Sequence, residues 1–392
     1  MTCKPEGRWL TSKVLLMILM SFVLGTSEFV IIGILPEIAE GLGASLAVVG
    51  SLVSAFAGAY AVGTPIIAAL TAKINRYKLL MVFLVIFFLG NLLSVFAPNA
   101  VVMYAARIIV ALMSGPILSV MMVFARKLVP PVHLAKAISW IFSGFSIASV
   151  LGVPLGTMLA HTFSYRAAFL FVVASAAVLG VLLALILPRD QFEPPVQAGL
   201  LRQFGILRDA RISLCICMSL FGLGGTYVVY TYFTPILEDV LGFPESSISG
   251  LTLLFGICSI ISNLASGKVR ARWGLKKLPL LYVLQILLFA GMYPALRQRA
   301  AGLAALLVMG VLMYIHNTSA QMHFQEVTEQ SYPYAETLAS SLLPMSSNFG
   351  IAVGALCGSL IQERLGFMVL PLFAVLFEAA ALLSILGLVR KR

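Results

Sequence analysis

Charge is scarce in this sequence. Only 10% of its 392 residues are Asp, Glu, Lys or Arg, against about 25% in soluble domains. With 60% of the residues hydrophobic, a disordered chain, a secreted disulfide scaffold and an ordinary cytosolic enzyme are all excluded. Cysteine is sparse as well. Cys3, Cys215, Cys217, Cys258 and Cys357 are an odd number, four of them lie in apolar stretches, and no C-x-x-C occurs, so neither disulfides nor zinc is implied. A nucleotide loop G-x-x-x-x-G-K-[ST] is missing, since Ser266-Gly267-Lys268 continues into Val269, and no polar segment is long enough for a nucleotide-binding domain. ATP drive within the chain is thereby excluded. H-E-x-x-H, G-x-S-x-G and any aligned Ser/His/Asp set are missing too, and no cofactor or metal is expected.

Long apolar runs are abundant instead. A bilayer core takes about 20 apolar residues as a helix. Twelve such runs stand out, at about 14–36, 46–71, 79–98, 100–124, 135–160, 166–187, 212–236, 247–267, 278–295, 302–323, 336–361 and 366–389. The first follows Lys4, Arg8 and Lys13 but is too long for a signal-peptide core and has no small-x-small cleavage site after it, so it reads as an uncleaved span. The expected fold is an all-α membrane protein of twelve transmembrane helices.

The net charge of +11 would suggest nucleic acid in a soluble protein; here the bases sit in short loops between spans. With the N-terminus inside, 21 Lys and Arg fall on the cytoplasmic side and only Arg166, Arg297, Arg299 and Arg364 outside. That bias predicts both termini in the cytoplasm. The loop after the tenth span dissents, carrying Glu326, Glu329 and Glu336 without Lys or Arg, but acids count for little in this rule. Nucleic acid is not expected as a partner.

The longest connection, 188–210 with Pro194-Pro195, divides the spans six and six. The expected organisation is an N-terminal bundle over 1–187, a cytoplasmic linker over 188–210 and a C-terminal bundle over 211–392. The halves also repeat. Leu35-Pro36 and Thr234-Pro235 end the first and seventh spans at an offset of 199, and the same offset relates the loops Ala68–Lys78 and Gly267–Lys277. Phe145-Ser146-Ile147-Ala148 with Gly152 and Gly156 corresponds to Phe349-Gly350-Ile351-Ala352 with Gly354 and Gly358. A parallel repeat of six-helix halves is an architecture of secondary transporters.

These residues also carry a resemblance. The loops holding Lys73, Arg76 and Lys78, and then Arg272 and Gly274, are similar to the signature between spans two and three of the major facilitator superfamily and to its weaker second copy. Arg107 matches the arginine opening that family's span-four motif, and Val150-Leu151-Gly152-Val153-Pro154-Leu155-Gly156 resembles the antiporter motif of its exporters. Gly25-Thr26-Ser27-Glu28-Phe29, Leu70-Thr71-Ala72-Lys73 and Tyr232-Phe233-Thr234-Pro235 resemble the bacterial twelve-span drug/proton antiporter branch, which includes purine efflux pumps, sugar efflux transporters and chloramphenicol exporters. The resemblance covers essentially the whole chain. It implies two pseudo-symmetric six-helix bundles with alternating access. The chain departs from the signature where the loop aspartate is Ala72, and Ala271 in the second copy.

Charges inside spans are costly and point to function. Glu28, Arg107 and Glu378 are such charges. Glu28 and Arg107 each lie about seven or eight residues from the outer end of their span, roughly 10–12 Å deep at 1.5 Å per residue. Ser21, Gly25 and Glu28, and Arg107, Ala111 and Ser114, each fall on one helix face. One reading makes Glu28 the proton-coupling carboxylate with Arg107 opposing it; the other is a static Glu28–Arg107 ion pair. Glu378, in the middle of span twelve, reads as a packing or interface residue. His316 and Asn317 interrupt span ten, as satisfied buried groups or substrate ligands. Tyr227, Thr231 and Thr234 share a face on which a flat substrate would stack. The glycine ladders of spans five and eleven, with Pro154 as a bend, suit close helix packing.

The leading expectation is a secondary transporter exporting small organic molecules, such as chloramphenicol, a purine base, a nucleoside or a sugar, by proton antiport across a bacterial inner membrane. An importing symporter is the alternative within transport; an intramembrane enzyme using His316 or His323 with Glu326, or a structural or receptor protein, are alternatives outside it. Substrate, protons and lipid bilayer are the expected partners, and a monomer the expected state.

Overall fold

The computed structural model describes residues 10–44, 46–71, 73–189 and 200–391. Among the described residues every regular element is helical. In chain order these are α1 (Ser12–Gly33), α2 (Leu35–Leu42), α3 (Leu46–Leu70), α4 (Arg76–Val95), α5 (Ala100–Leu128) and α6 (Pro131–Ile147). A π turn over Ala148–Gly152 leads into α7 (Val153–Thr162), and α8 (Tyr165–Ile186) follows. After α9 (Leu200–Phe204) come α10 (Ala210–Tyr230), α11 (Phe233–Pro235), α12 (Glu245–Trp273), α13 (Leu278–Ala295), α14 (Arg299–Leu312), α15 (Asn317–Ser331), α16 (Glu336–Leu365) and α17 (Leu370–Arg390). Eleven helices among the described residues are long and apolar enough to cross a membrane. The second expected span is represented by the shorter apolar stretch Ala55–Leu70 of α3. Pro194-Pro195 of the expected linker and Ala72 of the first loop motif lie outside the described residues.

Local sequence sets where the helices start. Thr11, Asn75, Asn99 and Asp209 precede α1, α4, α5 and α10, and each accepts a hydrogen bond from a backbone N–H of the first turn. Such caps contribute about 1 kcal/mol apiece. Apolar faces set the rest. Val82, Val85 and Leu89 on α4 and Val178, Val181 and Leu185 on α8 are exposed, rows that would drive aggregation in water and suit hydrocarbon.

The chain forms two compact units. One takes the described residues of Met1–Leu200 with Pro333–Ser341, the other Leu201–Tyr332 with Leu342–Arg392. In the first, Val30, Ile31, Ile34, Tyr165, Phe169 and Val173 build a buried apolar core. In the second, Phe233, Phe255, Phe289, Met292 and Met309 do so.

Glycines let the helices of each unit touch. A Cβ on Gly144 would stand 2.7 Å from the carbonyl oxygen of Ile18, and one on Gly25 2.8 Å from the Cβ of Ala148. Gly152 meets Thr26 and Gly156 meets Val30 closer still. Span five thus packs on α1 along its ladder. In the second unit, Gly350 and Gly354 press on the backbone of α10 at Leu220 and Gly224, and a Cβ on Gly358 would stand 2.8 Å from the Val228 carbonyl oxygen. The repeat seen in the sequence is therefore a repeated contact, small residues of span five on α1 and of span eleven on α10.

Spans five and ten are irregular. Pro154 has no N–H to give, and the π turn lies just before it, with the Val153 N–H bonding back to Ala148. Span ten breaks between α14 and α15, over Met313–His316. The Ser262 hydroxyl of α12 accepts from the Tyr314 N–H at 2.9 Å, the Asn317 side-chain amide donates to Asn263 Oδ1 at 3.1 Å, and the Ser266 and Thr318 hydroxyls lie 2.6 Å apart. Backbone groups freed by a break inside a bilayer need such partners.

Candidate functional site

In the first unit, polar groups gather where α1, α3, α4 and α5 meet. Arg107 is 1% exposed. Its Nη2 donates to the Ser27 carbonyl oxygen at 2.6 Å and its Nη1 to the Ser27 hydroxyl at 3.4 Å. The Ser27 hydroxyl in turn donates to Asn91 Oδ1 at 2.8 Å, whose amide donates to the Phe87 carbonyl oxygen. The guanidinium carbon lies 4.7 Å from the centre of the Phe56 ring and 5.8 Å from that of Phe169. Arg107 is thus held by a carbonyl, a hydroxyl and two aromatic faces.

Glu28, the next residue along α1, is half-buried. It lies within electrostatic reach of Arg107 and of Tyr60. Among the described residues its carboxylate makes neither a hydrogen bond nor an ion pair, and the static Glu28–Arg107 pair considered from the sequence is not formed. Ser114 is buried further along α5, its hydroxyl donating to the Val110 carbonyl oxygen of its own helix at 2.8 Å.

The first loop motif places Lys73 and Lys78 in the open and Arg76 in the interior, where its guanidinium donates to the carbonyl oxygens of Thr71 and Ile74, each at 3.4 Å. In the second copy Arg272 is exposed beside the Trp273 ring. Gly274 has φ of 59°, a left-handed backbone that glycine adopts without strain. The cation of that loop that turns inward is Arg270, 8% exposed and paired with Glu326 of α15. Sequence reasoning missed this pair because its members lie far apart in the chain and Glu326 read as a loop residue. Gly152, Pro154 and Gly156 sit on the α1 contact described above.

In the second unit, His316 is fully buried and Asn317 8% exposed at the break in span ten. Both His316 nitrogens and the Asn317 Oδ1 lack hydrogen-bond partners. Tyr227 and Thr231 lie at the C-terminal end of α10. The Tyr227 ring stands edge-on to Tyr230, centroids 5.2 Å apart, and the Thr231 hydroxyl donates to the Tyr227 carbonyl oxygen at 2.6 Å. Thr234 follows in α11. Ser262, Asn263, Ser266 and Asn91 were not singled out from the sequence; polar side chains interrupting apolar runs were the available signal. Outside the spans, Arg211 bonds the Asp209 carboxylate through its backbone N–H, Nε and Nη2, and Tyr332 adds a fourth donor. The hydrogen bonds from Arg211, above all, hold the Asp209 carboxyl below its usual range.

Nothing in these arrangements lines up a nucleophile, base and acid; they are isolated charges and hydrogen-bonding groups set in apolar helices. The model of the Major Facilitator Superfamily matches residues 17–334. The MFS-type transporter YtbD of Bacillus subtilis is 32% identical over 349 residues, 89% of this chain and 88% of its own. The inner membrane transport protein YdhP of Escherichia coli K12 is 29% identical, covering 95% and 94%. The chloramphenicol efflux pump Rv0191 of Mycobacterium tuberculosis is 28% identical, covering 97% and 92%. Among solved structures, the transporter FucP matches with a TM-score of 0.77 at 16% identity over 96% of this chain and 99% of its own, a likeness of fold. The chain belongs to the Major Facilitator Superfamily: it is a multi-pass membrane transporter related to bacterial inner-membrane transporters, and not an enzyme.

Proposed function

We propose that this transporter exports small neutral or aromatic organic molecules by proton antiport with alternating access, and that Glu28 is the carboxylate that exchanges the proton. The observation that carries the reading is the state of Glu28, a half-buried acid inside a span with no hydrogen bond and no ion pair among the described residues. Arg107 is near enough to bias it yet is bonded to Ser27, so Glu28 is left to titrate. A proton and a substrate that each weaken the other's binding give antiport by linkage. Tyr227, Thr231, His316, Asn317 and Ser114 are the proposed substrate contacts. Lys73, Arg76, Lys78, Arg272 and Gly274 are the proposed gating residues, with Gly152, Pro154 and Gly156 shaping how span five moves on α1. A bacterial inner membrane with both termini cytoplasmic, and a monomer, complete the proposal.

The substrate class is supported by the relative that is a chloramphenicol efflux pump and by the scarcity of acids in the spans. The test is reconstitution in liposomes containing a pH-sensitive dye, with chloramphenicol, a purine base, a nucleoside and a sugar added in turn. Proton flux triggered by one of these compounds in wild type, and lost in Glu28→Gln, is expected. Flux that survives in Glu28→Gln removes Glu28 from the coupling, and flux with none of the compounds removes the substrate class.

A further inference from the structure

The second unit has its own buried acid, for which the reading above has no use. Glu378 sits in the middle of α17, is 0% exposed, and has no hydrogen-bond partner for either carboxyl oxygen. Its Oε1 lies 2.7 Å from where a Cβ on Gly225 of α10 would stand. One turn earlier on the same helix, the Tyr282 hydroxyl from α13 lies 2.9 Å from where a Cβ on Gly222 would stand. Positions three apart on a helix are neighbours, so two bare positions of α10 seat an acid from one helix and a phenol from another.

Among the described residues no cation pairs with the acid. The titratable group within its electrostatic reach is Tyr282 of α13; Cys215 of α10 and His316 lie by Tyr282 in turn, the His316 ring centroid 6.2 Å from that of Tyr282. α17 itself carries no other titratable residue before Arg390. The Tyr282 hydroxyl donates to the Met218 carbonyl oxygen at 3.4 Å, which leaves its lone pairs free to accept. Ser219 Oγ of α10 and Gln285 Oε1 of α13 are also buried without partners, as are both His316 nitrogens. A packing role at this position asks for an apolar side chain. An ionised carboxylate with no counter-charge in such a place costs several kcal/mol, whereas a carboxylic acid brings a donor beside the Tyr282 hydroxyl, which can accept.

We propose that Glu378 is a second proton-binding site, seated on Gly225 of α10, with Tyr282 and His316 as the groups through which its proton is exchanged. The proton adds to the Glu378 carboxylate and leaves as a proton, so the step needs no other reactant. It goes beyond the coupling assigned to Glu28 and does not rest on it.

Infrared difference spectra of the purified full-length protein in lipid test this without any substrate. Wild type is expected to show a carboxylic-acid C=O band that shifts on transfer to D2O and loses intensity from acidic to alkaline buffer. That band should persist in Glu28→Gln, be lost in Glu378→Gln, and move in Tyr282→Phe. The Glu28→Gln arm separates the two readings, because failure of Glu28 as the coupling group leaves the Glu378 band in place. Glu378→Asp serves if Glu378→Gln does not fold, and should displace the band rather than remove it. Spectra unchanged by the Glu378 substitutions, or a Glu378 band insensitive to both D2O and pH, overturn the proposal.

Discussion

Arg107 gives its strongest hydrogen bond to the Ser27 backbone, 2.6 Å from Nη2 to the carbonyl oxygen, and none to the Glu28 carboxylate beside it. A side chain of α5 is thereby anchored to the main chain of α1. Arg107→Ala removes that bond and the stacking on Phe56 and Phe169. It should cost about 1.5–3 kcal/mol, the range for hydrogen bonds to a charged group. Thermal unfolding in detergent measures this, and Arg107→Lys should recover only part of the loss because an ammonium lacks the planar fork.

Glycine substitutions should split according to what surrounds them. At Gly354 a new methyl group would run into the Gly224 carbonyl of α10, whereas at Gly180 of α8 nothing lies within 4 Å. Gly354→Ala should therefore destabilise by about 1–3 kcal/mol through overpacking. Gly180→Ala should stabilise by roughly 0.5–1 kcal/mol through helix propensity. A melting temperature that falls in the first variant and holds or rises in the second bears this out.

The Arg270–Glu326 pair ties the end of α12 to α15. Glu326 is the more exposed partner, 32% against 7% for the side chains, so solvent screens the attraction and the main cost of losing it falls on the buried guanidinium. Glu326→Gln is expected to lose about 1–2 kcal/mol. The exchange Arg270→Glu with Glu326→Arg should recover part of it, as a double-mutant cycle would report.

Acid should loosen the start of α10. The Asp209 carboxyl, bonded by Arg211 and Tyr332, titrates below its ordinary value of 3.8. A lowered carboxyl contributes stability that is complete above that value and is lost as pH falls below it. Asp209→Asn should remove this acid sensitivity, read as the change in unfolding temperature between neutral and acidic buffer in wild type and variant.

Hydrophobic run length made most of the fold legible, and the 199-residue offset revealed the repeat. The tenth span did not follow its pattern. Expected over 302–323, it stops at Leu312 and resumes as α15 through Ser331. Residues such as Gln325 and Thr328 are buried there despite their polarity, so hydropathy ended the span at 323 and left the rest of that helix as a loop. For the site, spacing put Glu28 and Arg107 at one depth, but a backbone carbonyl has no sequence signature, and Ser27 as the partner of Arg107 was invisible. Glu378 was plain as a charge in a span, while its seat on Gly225 needed three helices to assemble.

The π turn in span five also settles a matter of phase. A ladder repeating every four residues turns about 40° per step at 100° per residue, so Gly144, Ala148, Gly152 and Gly156 would drift by about 120° and the last would face away from α1. The wide turn over Ala148–Gly152 absorbs one residue, which takes back roughly 100°. Gly144 and Gly156 consequently both meet α1. The shorter glycine series of span eleven, Gly350 to Gly358, drifts less and stays on α10 without any such correction. The two halves thus reach the same contact by different windings, and the irregular turn acts as a vernier that keeps a long row of small residues in step with its neighbour.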